Sequence, residues 1–495
     1  MKRFIALMLV ALLTTALLSG CHRQRPDGEN ADGKTTLRFW ASGQTQLNDV
    51  LQELVDNFNN TNKDGIMVNF QARPINGYES SLQNVLSFSS APDVFLFEDR
   101  YLKKWATMDL LAPLDSYIAG SELKTEDMWS ALLSRFRYSV KDNYSDESSP
   151  LYALPCGTIP SIVFYNKTVF KDMGIDVVSK DYSDELSEEY KHGFYHSGTL
   201  GQIPVKGEKM VFNDRIPMTW EELKDIAMYL NKSYNVDART DYGFYCHWWF
   251  NFGWSVGGDV VQYDKTTKEW HFSLGDKTRK KNADGQEMPS MYEALDFYLK
   301  MIQKKSSGGW ELMPSQSEVD TLGNQVYFLS QKVAMLTDVA DMISIFEEKS
   351  TFEWGIAPIP KHSLGINAGH SQAKGLGIWN KSKNKDAAYK FAEYLASEEA
   401  QKKLAISGNF VPNQRNTAYE VYDSENYPLS NGRLLAEVSE YERPGDWTYM
   451  PDDAWINEWA PLLNNAVRNS NMTLDEFLAQ VTDKTNIALK RSGMV

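Results

Sequence analysis

Cysteine is scarce: three in 495 residues, at positions 21, 156 and 246. Beyond residue 21 two distant thiols make neither a zinc pattern nor a disulfide framework. Cys156 and Cys246 are therefore expected to be free and buried, with a pair as the alternative. Long apolar runs are also lacking. After the first twenty residues nothing approaches the ~18 continuous apolar residues that a membrane span needs. No HExxH motif occurs. His370 has no partner at metal-ligand spacing, and the DGENADG run at 27–33 lacks a full calcium ligand set, so neither a metal nor a cofactor is implied. Positive charge is in deficit, with 51 Lys and Arg against 66 Asp and Glu and a net −15. That argues against a general nucleic-acid binder, which needs a positive surface.

What is present begins with Met1, Lys2 and Arg3, then the apolar run FIALMLVALLTTALL, then Leu18-Ser19-Gly20-Cys21. A charged start and a short apolar run are the parts of a targeting leader. This one resembles a bacterial lipoprotein signal. Residues 1–20 would be removed and Cys21 lipidated, so that the protein is held to a membrane by its lipid and does not span it. An ordinary signal peptide or an uncleaved anchor is the plainer alternative. Loss of Lys2 and Arg3 would bring the charge to −17. Residues 21–35, polar and poor in apolar side chains, read as a flexible tether. The remainder is too long for one core and predicts two lobes.

Thr36–Ala41 alternates as a first strand. Gln46–Asn59 carries Leu47, Leu51, Leu54, Val55 and Phe58 at helical spacing. Ile66–Ala72 alternates again, Tyr78–Phe88 is helical, and VFLF after Ala91-Pro92-Asp93 suits a buried parallel strand. Strand, helix, strand, helix, strand predicts a parallel sheet covered by helices. Such sheets bind ligands beyond the carboxyl ends of their strands. That rule selects Trp40, Ser42, Gly43 and Gln44 after the first strand, and Glu98, Asp99, Arg100 and Tyr101 after the third.

The stretch LYALPCGTIPSIVFYNKTVFKDM, Leu151–Met173, organises the chain. Pro155, Gly157 and Pro160 interrupt an extended apolar segment, SIVFY follows as a second strand, and a short helix opens near Lys167. This predicts a change of direction between two packed units. The segment resembles the hinge region of carbohydrate-type extracellular solute-binding proteins of ABC importers, through Tyr152, Leu154, Pro155, Gly157, Tyr165, Asn166, Lys167, Phe170 and Gly174. The resemblance runs over roughly residues 36–490 as short motifs in one order. They include TLRFWAS, APDVFLF, LLAPLDSYI, Pro217 to Leu223, Phe328 to Met335, FEWGIAPIP as a second crossing, GHSQAKGLGIW, and SKNKDAAYKFAEYLASEEAQ, the most specific of them. It implies an α/β, two-lobed periplasmic-binding-protein-like (type II) fold with hinge strands between the lobes. The implied lobes are discontinuous: 36–156 with 365–411, and 157–364 with 412–495. It also implies a carbohydrate ligand, for which the chain's size and insertions suggest an oligosaccharide with glycerol phosphodiesters or uronates as alternatives, together with ABC permease subunits as partners, an extracytoplasmic place and a monomer.

Two insertions depart from the family. Residues 176–217 are charged and aromatic and read as a surface elaboration of the second lobe, or as a cover for the cleft. Residues 277–290 read as a loop. Thr219 with Glu222 forms a capping box. In YGFYCHWWFNFGWSVGGDVV some rings must face the core, while others could stack on the C–H faces of a sugar. The expected contacts are Trp40, Trp248, Trp249 and Trp447 as stacking rings, with Ser42, Gln44, Asp99, Thr158, Asp338, His370, Gln372 and Arg415 as polar partners. Where the family often carries a stacking tryptophan, Asp338 and Asp341 suggest a polar contact instead.

The rival reading is a lipid-anchored glycoside hydrolase or lyase, and a third is a sensor subunit for a membrane receptor. Hydrolysis needs two carboxylates on opposite sides of one bond. Glu98 and Asp99 are adjacent and diverge on an extended chain, and no other acid pair has a preferred partner. A binding protein, not an enzyme, is the expectation.

Overall fold

A computed structural model of the protein describes residues 34–492 apart from 409, 425, 426 and 428. The leader, Cys21 and residues 22–33 of the tether lie outside the described residues. Among the described residues no helix is long and apolar enough to cross a membrane.

The predicted opening pattern forms as read. Thr35–Ser42 pairs in parallel with Ile66–Arg73 and with Val94–Glu98. The helix Thr45–Thr61 buries Leu47, Leu51, Leu54, Val55 and Phe58. The helix Lys385–Leu395, from the motif closest to the family, sets Phe391 edge-on against Phe39 and Phe58 at 5.2 and 5.1 Å. A helix late in the chain thus completes the core begun by the first strand.

These strands belong to a nine-stranded sheet. Its axis is the strand Ala153–Asn166, buried at all 14 positions. The return strand Gly369–Ile378 pairs antiparallel with its first half and with Val94–Glu98. Val333–Val339 and Trp354–Ala357 pair with its second half, and Tyr242–Cys246 extends that side in parallel. One strand therefore belongs to both strand groups.

The expectation of an interrupted stretch needs correction: the prolines do not divide the strand. Proline lacks the N–H of a ladder bond and is normally confined to edges and bulges. Here the backbone changes partners around each one. Asn413 Nδ2 donates to the Pro155 carbonyl (2.8 Å), Thr158 and Val411 exchange backbone bonds, and Ala340 N–H donates to the Pro160 carbonyl (2.9 Å). The return strand slips register between Lys374 and Gly375, opposite Gly157 and Pro155. A Cβ at Gly157 would sit 2.7 Å from Phe410 Cβ, so glycine there permits close approach. Beyond the strand, Asn166 Oδ1 accepts from Val169 N–H and caps the short helix Lys167–Asp172.

The second strand group carries the elaborations. The 176–217 insertion contributes to a three-stranded sheet, Ile175–Val178, Met210–Asn213 and Phe194–His196. The Thr219–Glu222 capping box is present. Ser397, just before the helix Glu398–Ile406, makes no side-chain cap bond and donates its hydroxyl back to the Tyr394 carbonyl at 2.6 Å. The chain closes on the helix Leu474–Ser492. Cys156 and Cys246 are free and buried, and burial pushes both thiols up to about 12.

Candidate ligand-binding cleft

Four rings from three stretches of chain meet where the two strand groups join. Trp248 follows the strand Tyr242–Cys246, and Phe250 opens the helix Phe250–Ser255. His370 is the second residue of the return strand, and Trp447 lies in the 3-10 turn Asp446–Thr448. Trp248 stacks on His370 at 4.3 Å between centroids, with Trp447 5.5 Å from Trp248 and 5.4 Å from His370. Phe250 packs 6.0 Å from Trp447. Trp248 and Trp447 are half-buried and keep part of their surface open. His370 is enclosed: its Nδ1 lies 3.1 Å from Ser161 Oγ and its backbone N–H donates to Asn251 Oδ1. Burial, aided by Arg135 and His247, holds its pKa well below the ordinary value, so the imidazole is a neutral plate in the stack.

A buried charge network lies beneath these rings. Arg135 follows the helix Ser130–Ser134. Its guanidinium donates to Asp99 Oδ2 (3.3 Å), to the Ser371 carbonyl (3.1 Å) and to Ser371 Oγ. It also lies 3.4 Å from Glu442 Oε1, and the Thr158 hydroxyl donates to the other oxygen of Glu442. One cation thus faces two carboxylates out of water. Burial pushes Asp99 up to about 6, while Arg135 pulls it down and Glu98 adds to the rise. Burial likewise raises Glu442 against the pull of Arg135. Asp99 follows the third parallel strand, Thr158 and Ser371 lie on the two shared strands, and Glu442 belongs to Glu442–Arg443, which pairs with the start of the return strand. The network ties the third parallel strand to the two shared strands and to Glu442–Arg443.

At the carboxyl end of the first parallel strand, the Ser42 carbonyl accepts from Lys374 Nζ at 3.2 Å. Gln44 is exposed and its side chain makes no cap bond. The Arg73 guanidinium covers one face of Trp40, 4.1 Å from the ring centre. Arg100 pairs with Glu98 at 2.9 Å and lies over Tyr101 at 4.8 Å. On the strand Val333–Val339, Asp338 accepts from Asn324 Nδ2 at 2.6 Å, and Asp341 lies three residues on. Burial raises Asp338 to about 7 and Asp341 to about 6, with Lys374 opposing the second shift. Asp259 braces the Trp447 turn by accepting from Arg443, Tyr449 OH and Trp254 Nε1 at 2.9, 2.9 and 3.0 Å.

Of the residues expected from sequence, the structure gathers Trp248, His370 and Trp447 into the ring cluster and Asp99 and Thr158 into the network below. Trp40, Ser42 and Gln44 stand at or just beyond the carboxyl end of the first parallel strand, and Asp338 on Val333–Val339. Gln372 is half-buried between Ser371 and Ala373. Two expected contacts stand elsewhere. Trp249 is buried with its ring edge-on to Trp459 at 5.8 Å, because neighbours at a helix start point in different directions. Arg415 pairs with Glu440 and lies over Trp129, outside the ring cluster. Thr158, His370 and Asp99 are enclosed and committed to protein partners, so in this conformation they set the surface from behind. Sequence reasoning missed Arg73, Arg135, Lys374 and Glu442. A lysine inside the small-residue run GHSQAKGLGI was a usable signal, since a charge in a buried strand demands a partner. Arg135 and Glu442 carried no local signal.

Residues 42–402 match the family model described as bacterial extracellular solute-binding protein, and the chain belongs to that family. It is 24% identical over 421 residues to the diacetylchitobiose binding protein DasA of Streptomyces coelicolor, covering 83% of this chain and 82% of DasA. Among solved structures it is similar to the ABC substrate-binding protein Lmo0181 of Listeria monocytogenes in complex with cycloalternan. The TM-score is 0.66 at 19% identity, over 92% of this chain and 99% of that one. It is also similar to UgpB of Mycobacterium tuberculosis in complex with glycerophosphocholine, with a TM-score of 0.64 at 16% identity over 93% and 99% of the two chains. The fold is the two-lobed α/β fold of periplasmic binding proteins, and the shared strand Ala153–Asn166 joins the lobes.

Proposed function

We propose that the protein is the receptor of an ABC importer for a carbohydrate, captured between the lobes and delivered to a membrane permease. The observation that carries this reading is the convergence of Trp248 and Trp447, both part-exposed, on one place beside the strands shared by both lobes. Flat rings with polar groups around them suit the C–H faces and hydroxyls of a sugar. The lobes are taken as 36–156 with 365–411, and 157–364 with 412–495. Trp248 and Trp447 supply stacking surface, and Ser42, Gln44 and Gln372 the polar partners, with Asp338 enclosed behind them. Binding favours the closed arrangement, which the permease reads. Cys21 carries the lipid that keeps the monomer at the membrane. Relatives and structural neighbours that bind sugars, such as DasA and Lmo0181, support the ligand class.

The test is a thermal-shift screen of the leaderless protein against oligosaccharides and glycerophosphodiesters, with product analysis of every hit. A saturable rise in melting temperature with the sugar recovered intact supports the receptor. A cleaved sugar overturns it in favour of a hydrolase or lyase, and a shift only with glycerophosphodiesters overturns the carbohydrate assignment.

A further inference from the structure

Beyond Trp447 the structure holds a cavity of about 300 Å³, within the range of small-molecule sites. One side is built from the turn Asp99–Tyr101 and the helix Leu102–Thr107, the other from the stretch after the 3-10 turn Asp446–Thr448. The residues that matter are Arg100, Tyr101 and Lys104 on one side and Trp447, Asp452 and Asp453 on the other. Both rings are held in place. Tyr101 stacks on Trp105 at 5.3 Å, and Trp447 is fixed by Trp248, Phe250 and His370. Lys103 Nζ ties the two sides together by donating to the Tyr449 carbonyl at 2.8 Å.

We infer that this cavity is a second sugar subsite, which takes the unit after the one stacked at Trp248 and makes the protein a receptor for neutral oligosaccharides of at least two units. This rests on the receptor reading above and adds length and charge to it. Trp447 is the joint: it belongs to the ring cluster and also lines the cavity, so a ligand that lies on the cluster and continues past Trp447 enters the cavity. The chemistry of the lining selects the kind of unit. Tyr101 and Trp447 offer apolar faces. Arg100 and Lys104 donate, and Asp452 and Asp453 accept, which suits hydroxyls that do both. With Arg100 held by Glu98, Lys104 is the cation left to face two carboxylates, so the lining favours a neutral ring over a uronate or phosphate. Among the described residues Lys104 and Asp453 form no ion pair, and both are exposed, which leaves their charges available to a ligand. Arg100 is already paired with Glu98, and Asp452 accepts from the Ala454 N–H at 2.9 Å.

The experiment is calorimetric titration of the leaderless protein with two series, glucose to maltotetraose and N-acetylglucosamine to triacetylchitotriose, with digalacturonate as the anionic probe. In the series that binds, the dimer or longer sugar should bind at least ten-fold more tightly than the monomer. The Lys104→Met/Asp453→Asn variant should reduce that ratio to about three-fold or less, and its unchanged melting temperature without ligand shows the fold intact. A monomer that binds as tightly as the longer sugars, or a ratio unmoved in the variant, overturns the subsite and leaves the receptor standing. Tighter binding of digalacturonate than of neutral dimers overturns the neutral assignment. If no saccharide of either series binds, the receptor reading itself fails and the subsite with it.

Discussion

Arg135→Met tests the buried charge network. Arg135 is enclosed and faces Asp99 at 3.3 Å and Glu442 at 3.4 Å, both also buried. Methionine fills much of the volume but removes the charge that compensates two carboxylates. Removing one partner of a buried ion pair costs about 3–5 kcal/mol, because the remaining charge is left uncompensated. The loss must depend on pH. Arg135 pulls Asp99 and Glu442 down, so without it both fold with still higher pKa values. A raised carboxyl pKa favours the folded state at pH values where the group is protonated, and that contribution is lost as pH rises through the folded value. The variant should therefore lose most at pH 8 and recover part of the loss at pH 5.5. Neutralising the orphaned acids, in Arg135→Met/Asp99→Asn/Glu442→Gln, should bring stability to within about 2 kcal/mol of the parent, as replacement of a whole buried charge group often does. Urea unfolding followed by tryptophan fluorescence at the two pH values measures all of this. A single-variant cost under about 1 kcal/mol at pH 8, or no recovery in the triple variant, would refute the account.

Trp248→Ala and Trp447→Ala should each weaken ligand affinity by about 1–3 kcal/mol in calorimetry; unchanged affinity in both would remove these rings from the site. Burial raises Asp338 and Asp446 to about 7 from 3.8, so their contribution to stability is fullest below pH ~4 and fades as pH rises through about 7. Asp338→Asn should flatten the fall in melting temperature between pH 5 and 8, and an unaltered pH profile would contradict the burial argument. Tyr144 stacks on Tyr263 at 4.6 Å across the proposed lobes, a pair worth about 0.5–1.5 kcal/mol. Tyr144→Ala should shift ligand-free protein toward a larger radius of gyration in X-ray scattering, and an identical radius would show that the pair does not hold the lobes together.

The parts legible in sequence were those set by local periodicity. The helix Thr45–Thr61 and the strands beside it lie within a residue or two of their expected ends, because burial of one face leaves a repeating mark. Thr219 and Glu222 announced their capping box three residues apart. Pro155 and Pro160 misled for the same local reason. Read alone, each removes a ladder bond, and the partners that take over, Asn413, Val411 and Ala340, lie far along the chain. Trp248 and Trp249 show the same limit within the site. Both are tryptophans in one aromatic run, yet one joins the stack on His370 and the other enters the core against Trp459.

Sequence by itself determined the order of the elements, the parallel opening sheet, the stretch that links the lobes and, through motifs in one order, the family. These follow from side-chain spacing and turn chemistry, which act over a few residues. Tertiary structure alone decided that Arg135 would meet Asp99 and Glu442, that Arg73 would cover Trp40, and that Trp447 would join the ring cluster to a cavity bounded by Arg100 and Asp452. Those contacts join residues tens to hundreds of positions apart. Their energies depend on burial and distance, which exist only once the strands shared by the lobes have brought the segments together.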